Sequence, residues 1–208
     1  KVNKVIISKY DYKLGKMLGL DSLTNPNTNT PYSIKYSILE PSLFSIKLNT
    51  GVEMKIAVEQ NGLVELELGS EILLKSQVAK KSDFAREIQE LNGKFFAGLI
   101  ADFDKAMKEK DQATLEKLEK KKDVILVEFI AAMEAEVRNM GPSALAYDAL
   151  QFFDLHKNYE FLKEMTIMFV DEYPRSEMSK SLSERMTKAT NVAIGHEAPL
   201  FTSTGKDG

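Results

Sequence analysis

The chain is read as α+β, an N-terminal antiparallel β domain followed by an all-α domain of about five helices. Two observations predict this. Apolar residues alternate with polar ones in the first third of the sequence, which is the period of half-buried strands. After about residue 80 they recur every three or four residues instead, the period of amphipathic helices.

The β signal is clearest at 52–58 and 64–68. Val52, Met54, Ile56 and Val58 share one face of the first segment, and Val64, Leu66 and Leu68 share one face of the second, with Glu65 and Glu67 opposite. Asn61-Gly62 lies between them, a strong hairpin signal. A two-residue loop would set Val58 beside Glu65. A three-residue loop, Gln60-Asn61-Gly62, pairs Val58 with Val64, Ile56 with Leu66 and Met54 with Leu68, all apolar. The second register is preferred, with Gly62 left-handed in a G1 bulge. Residues 32–39 and 43–48 read as further strands, and 21–31, with Pro26 and Pro31, as a loop.

In the second part, Phe84, Ile88, Leu91, Phe95, Leu99, Phe103 and Met107 mark one long helix over 83–109. Asp111 is placed to cap a second, over 112–139, with the stripe Leu115, Leu118, Ile125, Phe129, Met133, Val137 and Met140. The short polar link makes the pair an antiparallel hairpin. Gly141-Pro142 ends it, and helix three follows over about 143–155 with Leu145, Ala149, Phe152 and Phe153 inward. Asn158 caps helix four, which Pro174 ends, and Ser176 caps helix five, to about Ala193. The expected division is 1–78 for the β domain, 79–193 for the helical domain and 194–208 for a linker and a further strand.

Composition narrows the function. The 208 residues carry a net charge of −3, so no basic footprint points to nucleic acid. No apolar run reaches the roughly 20 residues of a membrane span. The chain enters Val5-Ile6-Ile7 directly after Lys1-Val2-Asn3-Lys4, without a secretory pattern; a signal on the parent would already have been removed. Cysteine is absent, which excludes disulfides, zinc–thiolate sites and thiol catalysis by these residues.

Candidate chemistry is sparse. His156 is placed near the end of helix three, where the helix dipole accounts for it, and His196 lies in the final linker. Lys120-Lys121-Lys122 sits among Glu116, Glu119 and Asp123 and reads as an ion-paired helix face. Glu134 and Glu136 fall on different helix faces, and Glu65 and Glu67 on the solvent face of a strand. Phe95, Phe96, Phe103, Phe129, Phe152 and Phe153 read as core rather than as the lining of a ligand cavity. No catalytic, cofactor-binding or metal-ligating residue is assigned, and no cofactor is expected.

One stretch is specific. Gly195, Ala198, Pro199 and Phe201, within Ile194-Gly195-His196-Glu197-Ala198-Pro199-Leu200-Phe201-Thr202, follow the pattern Gly-x-x-Ala-Pro-x-Phe, and Gly205-Lys206-Asp207-Gly208 follows as a turn. The stretch resembles the opening strand of the TlpA/ResA-like and peroxiredoxin-like branches of the thioredoxin superfamily. Leu200 departs from the pattern, which has Asp between the proline and the phenylalanine. In Bacteroidetes-type members a β-rich domain of unknown function and a helical segment precede the thioredoxin domain. The helical segment there carries a Tyr-Pro-x-Ser step, matched by Tyr173-Pro174-Arg175-Ser176.

The resemblance implies a thiol–disulfide oxidoreductase whose reactive cysteine lies beyond Gly208. This chain would be its non-catalytic N-terminal accessory region, in the periplasm or anchored at the outer membrane. It further implies the downstream thioredoxin-like domain as a partner, with client proteins or a homodimer as other partners. Residues after about Ala193 would then contact the helices sparsely. The competing expectation is a stand-alone protein-binding module without redox role, or an enzyme working in a pocket between the two parts.

Overall fold

An aspartate and a glycine make the first reversal. In the computed structural model, which describes residues 2–24, 26, 32–36, 38–59, 61–76 and 79–191, strands β1 (Lys4–Asp11) and β2 (Lys16–Thr24) pair antiparallel. The Asp11 carboxylate accepts from the Leu14 amide at 2.8 Å, and Gly15, at φ 64°, donates to the Asp11 carbonyl. Only a residue tolerant of positive φ closes such a turn without strain. Six strands follow: β3 (Tyr32–Tyr36), β4 (Ser42–Leu48), β5 (Glu53–Val58), β6 (Gly62–Leu68), β7 (Ile72–Leu74) and β8 (Ala79–Lys81).

The strands form two sheets, ordered β2-β1-β4-β5-β8 and β3-β6-β7. They face one another across one apolar core. Val5, Ile7, Phe44, Ile46, Leu48, Met54, Ile56 and Val58 enter it from the larger sheet, and Val64, Leu66, Leu68 and Ile72 from the smaller. Alternation along each strand puts every second residue inside.

This arrangement corrects the expected hairpin. β5 pairs with β4 and β8, while β6 pairs with β3 and β7, so 52–58 and 64–68 belong to different sheets. The two segments still oppose apolar faces, but across the sandwich rather than along a ladder. The tight turn lies earlier: Gly51, at φ 92°, joins β4 to β5, with Leu48 and Val52 hydrogen-bonded at 2.8 Å. Gly62 opens β6 opposite Tyr36. Gln60, and with it the turn conformation expected at 60–62, lies outside the described residues.

The helices are α1 (Phe84–Glu109), α2 (Gln112–Met140), α3 (Ala144–Ala149), α4 (Tyr159–Glu172) and α5 (Glu177–Asn191). The α+β reading thus holds, with five α-helices among the described residues. α1 and α2 form the antiparallel hairpin, held by Phe95 and Phe96 edge-on to Phe129 and by Leu99, Ala106 and Leu118 further out. The Asp111 carboxylate caps α2 by accepting from the Thr114 amide, and Ser176 caps α5 through the Ser179 amide at 3.0 Å. Gly141, at φ 62°, ends α2.

Two local expectations change. α3 is capped by Ser143 and ends at Ala149, and Leu150–Phe152 continue as a tighter 3-10 turn. That change of pitch turns Phe152 outward, 47% exposed, while Phe153 stays buried. Asn158 holds the cap position of α4 but makes no capping bond, its amide reaching Glu134 instead.

A second core joins sheet to helices. The outer face of the larger sheet contributes Leu43 and Ala57, and the turn after β1 contributes Tyr12; they pack with Tyr147, Leu150, Phe153, Met165 and Phe169. α3 lies close to that face because Ala144, Ala146 and Ala149 are fully buried and present no bulk. The larger sheet is therefore a middle layer, covered by β3-β6-β7 on one side and by α3 with its neighbours on the other. β8, which belongs to this sheet, falls on the helical side of residue 78.

Candidate functional site

Where the β1–β2 hairpin meets α5, three tyrosines converge. Strand alternation brings Tyr10 to the helical face of β1, Tyr12 follows in the turn after that strand, and α3 supplies Tyr147. Their rings stack edgewise, with Tyr12 and Tyr147 centroids 4.6 Å apart and Tyr10 and Tyr12 5.4 Å apart. The Tyr12 hydroxyl donates to the Pro41 carbonyl at 3.0 Å, and burial raises its pKa far above the ordinary phenol. The Tyr147 hydroxyl lies 3.0 Å from the Ser181 hydroxyl of α5, and burial pushes it up to about 12. Both phenols stay protonated at neutral pH. They act as hydrogen-bonding struts rather than as bases.

Two charged groups brace the same junction. The Arg185 guanidinium donates to the carbonyls of Leu150 and Phe153 at 3.1 and 3.0 Å, satisfying the end of the 3-10 turn, and burial lowers its pKa. The half-buried Glu59 carboxylate accepts from the Ala144 amide at 3.1 and 3.2 Å, at the start of α3. Burial raises its pKa, opposed by the bonds from the Ala144 and Leu145 amides and by Lys80. Asp148 accepts from Lys55 at 3.3 Å and from Ser82 at 2.8 Å, tying α3 to the sheet.

Shallow grooves run past this junction. One of about 420 Å³ is lined by Lys9, Tyr10, Leu18, Leu20, Glu40 and Glu177. Another, of about 310 Å³, lies between Leu14, Gly15 and the α5 residues Lys180, Glu184 and Lys188. The second also takes in Ser181, whose hydroxyl lies beside the protonated Tyr147 phenol. Among the described residues, no three His, Asp or Glu side chains gather as a metal would require. Among those residues, too, no helix is long and apolar enough to cross a membrane.

Of the residues singled out in the sequence, His156 and Glu134 line one groove, of about 530 Å³, together with Arg138 and Glu164. His156 is exposed, seven positions past the end of α3, in the turn where Asp154 accepts from the His156 and Lys157 amides. The dipole of α3 therefore does not account for it. Lys121 pairs with Asp102 and Lys122 with Glu119, the ion-paired face expected of the lysine run. Glu134 pairs with Arg138, which also forks onto Glu164 at 2.8 Å, and Glu67 with Lys75. Phe129 and Phe153 are core. His196 and the motif residues Gly195, Ala198, Pro199 and Phe201 lie outside the described residues.

The tyrosine cluster and Glu59 carried no local signature. Each depends on which strands are neighbours, and β1 and β2 lack a clean alternation. A Tyr-x-Tyr step at 10–12 was the one usable sign. Comparison with family models, with characterised proteins and with solved structures finds no match for the chain.

Proposed function

We propose that this chain is the non-catalytic N-terminal accessory region of a thiol–disulfide oxidoreductase of the thioredoxin superfamily. The observation that carries the proposal is Gly195, Ala198, Pro199 and Phe201 at the spacing of a thioredoxin-like entry strand. It is supported by position, since the motif follows a helix that begins after Tyr173-Pro174-Arg175-Ser176. The chain has no cysteine, so it contributes no thiol itself. Its part is to present binding surface to the catalytic domain or to client proteins, in the periplasm or at the outer membrane. The coding sequence past Gly208 tests this. A reactive cysteine at the start of a helix, where the dipole lowers a thiol pKa, is expected there. A reading frame without any cysteine after Gly208 removes the proposal.

A further inference from the structure

The outer half of the α1–α2 hairpin carries more apolar surface than its own packing uses. Phe96, Ile100, Phe103 and Met107 recur on α1 at spacings of four, three and four, one face of a helix. Ile100 is 56% exposed and Met107 62%, while Phe96 and Phe103 are half-buried. On α2, Leu126 is 43% exposed and Ile130 half-buried.

Both sets lie on the same side of the hairpin. The Asp102–Lys121 pair, at 3.6 Å, bridges the helices and marks one side. At about 100° per residue, Ile100 and Met107 on α1 and Leu126 and Ile130 on α2 turn to the other. Nearer the base, the same side of α2 is buried at Met133 and Val137 in the core shared with α3 to α5. The strip is that core continued outward, without a cover from the described residues.

Its margins are acidic. Asp104 flanks the strip on α1, with Lys108 one turn further along, and Glu116 and Asp123 flank it on α2, all exposed, three acids to one base. Lys122, inside the margin, is already paired with Glu119. A second copy laid on the strip would bring like charges together, which opposes self-association. We infer that the strip docks an amphipathic helix of a partner protein, with apolar residues at helical spacing and lysine or arginine beside them. Apolar area supplies the affinity, and the margins select the sign of charge. This inference stands on the hairpin alone and does not depend on the redox proposal.

The probe is a pair of synthetic helical peptides of about 18 residues, long enough to span the exposed half of the hairpin. They share leucines at i, i+3, i+4 and i+7 and differ only in lysine or glutamate at the flanking positions. Binding to the full 208-residue chain is read by fluorescence anisotropy at low and high salt. The lysine peptide should bind, at least tenfold more tightly than the glutamate peptide, and the difference should shrink with salt. The double substitution Ile100→Ser, Met107→Ser should weaken binding about tenfold with an unchanged thermal melt, since both side chains are exposed. Val124→Ser, Val127→Ser, on exposed residues outside the strip, should change nothing. No binding, equal binding of both peptides, or equal weakening by both double substitutions overturns the inference. So does a dimer in sedimentation that Ile100→Ser, Met107→Ser dissociates, because a second copy would then be the occupant.

Discussion

Glu59 shows how one side chain couples the two halves of the fold. Its carboxylate sits where the chain leaves the larger sheet, and it satisfies the first amides of α3. Burial raises its pKa above the ordinary 4.5. The folded state therefore holds its proton more tightly than the unfolded chain does. The contribution of Glu59 to stability is fully present below about pH 4.5 and declines as pH rises through the folded value. Glu59→Gln keeps an acceptor and discards the charge. It should be at least as stable as the parent at neutral pH, with the advantage closing on acidification. Glu59→Ala leaves the Ala144 amide without its partner and should cost about 1–2 kcal/mol at pH 4, and less as pH rises. Urea unfolding of the three proteins between pH 4 and 7.5 checks both statements. A parent more stable than Glu59→Gln at pH 7 would reverse the assigned cause.

At the scale of elements, the helices were legible and the strand partners were not. A helix closes its own hydrogen bonds, so the stripe on α1, the Asp111 cap, the Ser176 cap and the Gly141 stop could all be read from nearby residues. A strand finds its partners elsewhere in the chain. The apolar faces at 52–58 and 64–68 were identified correctly, but a matched pair of faces serves two opposed sheets as well as one hairpin. Asn61-Gly62 favoured the hairpin, while Asn49-Thr50-Gly51, the turn that the fold uses, lay between two segments already read as strands. β2, β7 and β8 were not anticipated, since edge strands such as β2 expose most of their side chains and blur the alternation; nor was β1, an inner strand whose register shifts between Ile7 and Ser8. Gly51 gives the measurable consequence. Its φ of 92° is one that a β-branched residue resists, so Gly51→Val should cost on the order of 1 kcal/mol or more. Chemical denaturation reads this directly, and an unchanged midpoint would count against the β4–β5 turn.

For the whole molecule, the decisive feature is that the larger sheet is buried on both faces at its centre, along β4. Tyr12, Leu43 and Ala57 belong to the same core as Tyr147, Leu150 and Phe169. Removing bulk at Leu43, which is 1% exposed, should therefore loosen helices as well as sheet. Leu43→Ala is expected to cost about 2–5 kcal/mol. Hydrogen exchange should show the loss in α3 and α4 as well as in β4. Loss confined to the strands would mean that the two parts unfold separately. Of the interaction surface, the sequence offered only spacing: Ile100 and Met107 fit a core stripe as well as an exposed one. Which of them is covered depends on where α3 to α5 stop along the hairpin, and no local pattern states that.

In the proposed role, this cysteine-free chain serves a thiol–disulfide oxidoreductase without doing the chemistry. Insulin reduction by dithiothreitol-recharged protein measures this, comparing the 208-residue chain with the extended protein that the proposal implies. The extended protein should reduce insulin well above the buffer blank, and the 208-residue chain should match the blank. An extended protein that turns over no faster than the 208-residue chain would contradict the account.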